Sequence, residues 1–254
     1  MATFPLSAEL ASLHDQCLAY ASSVQNEVAS KGGCKNLAAE ALNVLSFNAV
    51  LAHRSIRTLC EEGWAPIAPI IARTMLDVFA SCIALVSDHA NADYMGFKYL
   101  SHFHHNWLNE PDITPPELQD GKKTIDAIVS RLNASDQAKA KAFLAAGKPK
   151  NYWFQPEYAS TKALLEKANH PIYDLYRVLS SVTHGGFSSK LLFNDYQTEE
   201  NIDPRPHPKA TSNMIVASSR LLLESSYVRD HWDNDGAHDN KYCAVLTQLN
   251  ELKP

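Results

Sequence analysis

The sequence predicts an all-α protein, a bundle of four to five long helices with additional short helices and a long loop near residues 187–210. Two observations support this prediction. Apolar residues recur at spacings of three and four over most of the chain, and the alternation typical of β-strands is nearly absent. With 254 residues, of which 45% are hydrophobic, the chain can bury one large core, so we expect a single domain over residues 1–254.

Four long helices are expected in the first half of the chain, and each has a recognisable boundary. Ser, Pro and Gly at such boundaries act as N-caps, first-turn residues and helix stops, respectively. We expect a first helix that begins after Ser7 and ends at Gly32-Gly33, and a second from about residue 36 to Gly63. Pro66 and Pro69 begin the third helix, which runs to Val86, and the fourth runs from about 91 to 109.

The remainder of the chain is expected to be less regular. Over residues 110–157 we expect a loop-rich insertion whose short helices pack on the outside of the bundle. A short helix over 160–169 and a helix that begins at Tyr173 follow. The long loop near 187–210 comes next, and a loop of this length is often functional. Residues 211–254 complete the domain with C-terminal helices.

Composition narrows the classes of partner. The net charge of −5 argues against indiscriminate binding to nucleic acid or to anionic membrane. Residues 67–86 are apolar enough for a membrane span, but Arg73 and Asp77 would each cost about 2.5–3.5 kcal/mol inside a bilayer, so we expect a buried helix and no membrane partner. The N-terminal residues lack the basic region and apolar run of a secretion signal, so we expect none and a cytoplasmic location. The five cysteines form no CxxC pair, so we expect free thiols.

The helix that begins at Tyr173 carries an unusual polar face. At 100° per residue, Tyr173, Arg177, Ser180 and His184 fall within an arc of about 60°. A solvated helix face normally carries Lys and Glu, whereas phenol, guanidinium, hydroxyl and imidazole groups bind ligands or transfer protons. We therefore expect a functional site along this helix.

A second polar pair lies in the most apolar helix. Arg73 and Asp77 are four residues apart, and a buried Arg stays charged and must be paired. Two interpretations are open: an internal ion pair that sets helix register, or an anion-binding Arg that Asp77 orients. His102 and His105 share a helix face, but no Glu-x-x-His motif accompanies them, so we expect neither a metal site nor a cofactor.

These motifs together resemble the bacterial family DUF5677, whose activity is unknown. The resemblance covers roughly residues 40–190 and rests on an Arg-x-x-x-acid helix, a Trp in the middle loop and a Tyr-x-x-x-Ser-x-x-x-His helix, here Arg73, Asp77, Trp153, Tyr176, Ser180, His184 and Gly185. The first motif carries Asp77, one methylene shorter than the Glu that is common in the family. The resemblance implies that both helices contribute to one intramolecular site.

A shorter motif resembles the HEPN superfamily of all-α proteins. Arg177 and His184 are separated by six residues, which fits its Arg-x(4–6)-His motif. The resemblance implies a metal-independent ribonuclease, a toxin or defence effector, that forms its site across a homodimer. His184 would then act as general acid or base, and Arg177 would stabilise the charge of the transition state.

Three hypotheses follow, and they leave open whether the protein is an enzyme. We favour a ligand-binding or sensor domain for a small anionic molecule, whose site comprises Arg73, Asp77, Trp153, Tyr173, Tyr176, Ser180 and His184. The second hypothesis is the ribonuclease with RNA as its partner, built on Arg177 and His184. The third is a structural polar network that stabilises the bundle, with interaction surfaces elsewhere.

Overall fold

The computed structural model describes residues 3–108, 112–146, 153–155, 157–168, 170, 172–183 and 206–252. Within these ranges the secondary structure is helical and no β-strand occurs, so the all-α prediction is confirmed. The helices are α1 (Ala8–Ser30), α2 (Leu37–Glu61), α3 (Ala68–Val86), α4 (Ala92–Trp107), α5 (Pro115–Ser130), α6 (Ala134–Ala145), α7 (Thr161–Lys167), α8 (Tyr173–Thr183), α9 (Pro208–Asn234) and α10 (Asp239–Glu251).

Local capping explains where the first helices begin. Ser7 Oγ accepts a hydrogen bond from the backbone N–H of Leu10 at 3.3 Å, and Asn36 Oδ1 accepts one from Ala39 at 2.9 Å. Pro66 and Pro69 occupy a 3-10 turn and the first turn of α3, where no intrahelical N–H is lost. As a result, α1 to α4 begin and end within about two residues of their predicted bounds.

The main core lies between α2, α3 and α9. α2 and α3 pack side by side, α9 packs against both of them, and α1 and α10 pack on α9. Their contact surfaces bury large aliphatic and aromatic side chains such as Leu42, Leu76, Phe79 and Leu222. This layer holds α3 in place as the element against which α7 and α8 then pack.

A second, smaller core lies on the outside of α2. α4 packs against the N-terminal half of α2, and α5 and α6 pack against α4. The buried residues of this core are Leu37, Phe97, Ile125, Val129, Leu132 and Ala140. The predicted insertion of short helices therefore contains two full helices, α5 with 16 and α6 with 12 residues. The loop expected near 187–210 lies outside the described residues, except that α9 already begins at Pro208.

One helical stretch of the described chain could cross a membrane by length and composition alone. It runs from Ala65 to Val86, and 61% of its most apolar window is buried inside the protein. Burial of this kind is typical of a core helix.

Candidate functional site

A stripe of three polar residues runs along the apolar helix α3. Arg73, Asp77 and Ser81 follow one another at intervals of four residues, so they lie on one face of the helix. Arg73 Nη1 lies 2.6 Å from Asp77 Oδ1. The Arg73 side chain is 16% exposed and that of Asp77 is 45% exposed, so this ion pair opens to solvent on the Asp77 side.

The α8 helix covers the arginine with an aromatic ring. The guanidinium carbon of Arg73 lies 4.7 Å from the centre of the Tyr176 ring, within the range of a cation–π contact. His170, just before α8, packs on Phe79, which follows Arg73 by six residues along α3, so α8 runs antiparallel to α3. The helices that carry the two motifs of the resemblance, α3 and α8, therefore pack against each other, and Tyr176 is the residue of α8 that contacts Arg73.

The remaining polar groups of the stripe contact the segment before α8. Thr161, the first residue of α7 and almost fully buried, donates a hydrogen bond to Asp77 Oδ1 at 2.8 Å. Trp153 Nε1 donates one to Ser81 Oγ at 3.2 Å. Sequence reasoning included Trp153 but missed Thr161, since nothing in the sequence relates a threonine to a carboxylate 84 residues away.

Arg73 keeps hydrogen-bonding capacity. A guanidinium carries five N–H donors in a planar fork that suits carboxylate and phosphate oxygens. Among the described residues, the buried Nη1 makes its short charge contact with Asp77 but no hydrogen bond of good geometry. Within the part of the chain that the structure describes, one carboxylate and one ring face therefore hold the positive charge in place, and donors are left over.

Of the polar face predicted on α8, only part lies beside Arg73. The Tyr173 ring stacks on that of Tyr176 at 6.1 Å, and its hydroxyl donates to Glu166 of α7 at 2.7 Å, which raises the pKa of Tyr173. Ser180 is half-buried and lies one turn after Tyr176, on the same face of the helix. His184 lies outside the described residues.

Arg177 lies apart from this site. Its side chain is 69% exposed, and its nearest charge is that of Asp174, 4.0 Å away and itself 88% exposed. The structure therefore brings Arg73, Asp77 and Tyr176 together but leaves Arg177 on the solvent side of α8. The predicted polar arc thus lies along the boundary between the side of α8 that faces α3 and the side that faces solvent, with Ser180 nearer the first and Arg177 nearer the second.

The histidines of α4 show no metal-binding arrangement. The His102 Nε2 atom lies 3.1 Å from the amide nitrogen of Asn106, and burial lowers the pKa of His102. His105 is buried with its ring 5.8 Å from that of Phe143. In the ranges that the structure describes, no group of three or more His, Cys, Asp or Glu side chains could hold a metal ion.

Comparison with known proteins gives a family but no activity. The model of a family of unknown function, DUF5677, matches residues 40–202, which include Arg73, Asp77, Trp153, Tyr176, Ser180 and His184. Neither the curated proteins nor the solved structures give a match. Because the match spans more than half of the chain, the protein belongs to the DUF5677 family.

Proposed function

We propose that this protein is a binding or sensor domain that recognises a small anionic molecule between α3 and α8. The observation that carries this proposal is Arg73, a permanently charged group that is 16% exposed, oriented by Asp77 and covered by Tyr176. A charge in so apolar a helix is costly, and its orientation before ligand arrival reduces the entropy lost on binding.

Each neighbour of Arg73 has a part in the proposed binding. Asp77 and Tyr176 hold the guanidinium plane, and the hydrogen bond from Thr161 keeps the Asp77 carboxylate in position. Ser180 supplies a hydroxyl one turn further along α8, and His184 follows at the next interval of four in the sequence. The anion would therefore accept hydrogen bonds from the unused donors of Arg73, in a bidentate geometry that a lysine cannot reproduce.

The test is thermal unfolding in the presence of inorganic phosphate, acetate, succinate and a nucleoside monophosphate. At a ligand concentration of 100 times Kd, binding stabilises the folded state by about 2.7 kcal/mol, which raises Tm by about 5–10 °C for a chain of this size. We expect at least one of these anions to raise the Tm of the wild type. Arg73→Lys keeps the charge but loses the planar fork, so it should abolish most of the increase.

Arg177→Lys is the matched control, because Arg177 is an exposed arginine on the neighbouring helix. It should respond to the same anion as the wild type does. If no anion raises the Tm, or if Arg73→Lys responds like the wild type, the proposal is wrong. The Arg73 stripe would then be an internal network that attaches α7 and α8 to α3.

A second candidate function is a metal-independent ribonuclease, and the exposure of Arg177 favours it. Its side chain is 69% exposed, and its contact with the solvated Asp174 carboxylate is a long one of 4.0 Å, so it is accessible to a phosphate group. His184 would transfer the proton of a ribose hydroxyl or of the leaving oxygen, and Arg177 would stabilise the developing charge.

This candidate is tested with total RNA in the presence of EDTA. His184→Ala should lower cleavage by about 10²–10⁴-fold, the contribution typical of a general acid or base. Arg177→Ala should lower it too, whereas Lys123→Ala, which removes an exposed cation of α5, should not. Equal cleavage by the wild type and His184→Ala would exclude this function.

A further inference from the structure

An apolar stripe on α2 is left uncovered. Six large hydrophobic side chains are exposed in the described part of the chain, and three of them, Val44, Phe47 and Leu51, are on this one helix. Their exposed fractions are 40%, 53% and 45%. Spacings of three and then four residues place them on one face, as in the seam of a two-helix packing. Isolated exposed apolar residues are ordinary, but a continuous stripe indicates a contact surface.

The two ends of the stripe carry opposite charges. Glu40 lies seven residues before Phe47, and Arg54 lies seven residues after it. Glu40 pairs with Arg131 of the loop after α5 at 2.7 Å, but both side chains are well exposed, and such surface pairs contribute little. The Arg54 side chain is exposed and has no hydrogen bond or ion pair within the described ranges.

The apolar stripe and the charges at its ends are complementary to the same surface on a second copy of the chain. If a second α2 helix lies antiparallel with Phe47 at the two-fold axis, Val44 meets Leu51 of the other copy, and Glu40 meets its Arg54. A two-fold interface requires this kind of self-complementarity, because residue i contacts j wherever j contacts i. A parallel pair would instead place Glu40 beside Glu40 and Arg54 beside Arg54.

We propose that α2 is a homodimer interface and that a second copy of this chain covers the stripe in an antiparallel α2–α2 packing about Phe47. The surface lies on a different helix from the proposed Arg73 site, so the two proposals stand or fall separately. The apolar contact supplies the association, and the charges at the ends select the antiparallel orientation.

The first test measures the dimer dissociation constant by sedimentation equilibrium. Phe47→Ser and Arg54→Glu should each raise it at least tenfold. Adding Glu40→Lys to Arg54→Glu should recover most of the association, because the end charges are then exchanged but still opposite. Arg131→Gln, which removes only the intramolecular partner of Glu40, should leave the dimer intact.

The matched control is Val178→Ser, which removes a side chain on α8 that is 51% exposed. It should leave the dissociation constant unchanged. A wild type that is monomeric at all concentrations overturns the proposal, and so does a dimer that Val178→Ser disrupts and Phe47→Ser does not.

The second test determines orientation by disulfide formation, in a background where Cys34 and Cys243 are replaced by Ser. Asn48 and Ser55 are both exposed and lie on the same side of α2. Asn48 is beside the axis, whereas the two copies of Ser55 would be about 24 Å apart along antiparallel helices, far beyond disulfide reach. Mild oxidation should therefore link Asn48→Cys and not Ser55→Cys. Linkage of both variants indicates parallel helices and overturns the proposed packing.

Discussion

At the scale of single residues, the most unusual feature is a pair of buried histidines where α1, α2 and α9 meet. The rings of His14 and His53 stack with centroids 4.2 Å apart, and neither Nε2 atom has a hydrogen-bond partner within the described residues. His53 Nδ1 lies 2.9 Å from Ser218 Oγ. That hydroxyl already donates to a carbonyl one turn earlier in α9, so we assign the Nδ1 proton to the imidazole. His14 Nδ1 lies between Asp15 and Arg57, at 3.1 and 3.2 Å.

We expect this pair to make the folded state sensitive to acid. Burial lowers the pKa of both histidines, that of His53 from 6.5 to about 3, because an imidazolium there would be desolvated. Between about pH 3 and pH 6.5 the unfolded chain therefore binds more protons at His53 than the folded chain does. The free energy of unfolding should therefore fall as the pH drops below 6.5, by up to about 1.4 kcal/mol per pH unit from His53 alone.

The measurement is urea unfolding between pH 7.5 and 4.5. His53→Asn keeps an N–H donor for Ser218 but cannot titrate, so its stability should vary less with pH, although it starts lower at pH 7.5. Ser55→Asn is the control, because Ser55 is an exposed residue of the same helix that carries no titratable group, so the pH dependence should stay that of the wild type. Parallel pH profiles for the wild type and His53→Asn would contradict the assignment.

At the scale of helices, the crossing of α4 over the start of α2 depends on one glycine. A Cβ atom at Gly96 would lie 2.5 Å from the carbonyl carbon of Leu37 and 2.6 Å from the backbone nitrogen of Ala38. One turn earlier on α4, the Asp93 carboxylate accepts a hydrogen bond from that same N–H of Ala38 at 3.3 Å. α4 therefore caps the N-terminus of α2 as well as packing on it, and this close approach requires a residue without a side chain.

Gly96→Ala should consequently destabilise the protein. At an exposed helix position, replacing glycine by alanine stabilises a protein by about 1 kcal/mol, because alanine has the higher helix propensity. Here the clash is with backbone atoms, which cannot rotate away, and overpacking of this kind costs about 1–3 kcal/mol or more. We expect a net loss of stability in urea unfolding. Asp126→Ala on the exposed face of α5 is the control and should change stability by only a few tenths of a kcal/mol, so a stabilised Gly96→Ala would disprove the close packing.

At the scale of the whole molecule, the segment from Trp153 to α8 is attached to the bundle through the polar stripe of α3. Trp153 contacts Ser81, Thr161 contacts Asp77, and Tyr176 contacts Arg73. Leu164, Leu165, Ile172 and Leu179 add apolar contacts to the main core. By contrast, α1, α2 and α9 contribute many more buried side chains to that core. The α7–α8 segment should therefore open locally at a lower free energy than the rest of the bundle.

Thr161→Val tests this difference in local stability. The substitution leaves the shape almost unchanged but removes the donor to Asp77, at a cost of about 1 kcal/mol. Amide hydrogen exchange should increase over α7 and α8 and remain unchanged in α1, α2 and α9. The control is Thr74→Val, which alters an exposed threonine of α3 one turn before Asp77. It should leave the amide exchange of both regions unchanged. A uniform increase over the whole chain would show that the segment does not open independently.

The sequence by itself determined the helical class, the bounds of α1 to α4 and the Arg73–Asp77 pairing. These features depend on interactions within about four residues, such as caps, prolines and one-turn spacing, which a single sequence displays directly. Membership of DUF5677 also followed from the spacing of its motifs.

Only the tertiary structure decided which side chains complete each site. It placed the Tyr176 ring on the Arg73 guanidinium, brought Thr161 to Asp77, and stacked His14 on His53. These partners come from helices that are 39 to more than 100 residues apart in the sequence. Their contacts depend on how whole helices rotate and cross as they bury their apolar faces. The periodicity within one helix does not specify these rotations and crossing angles.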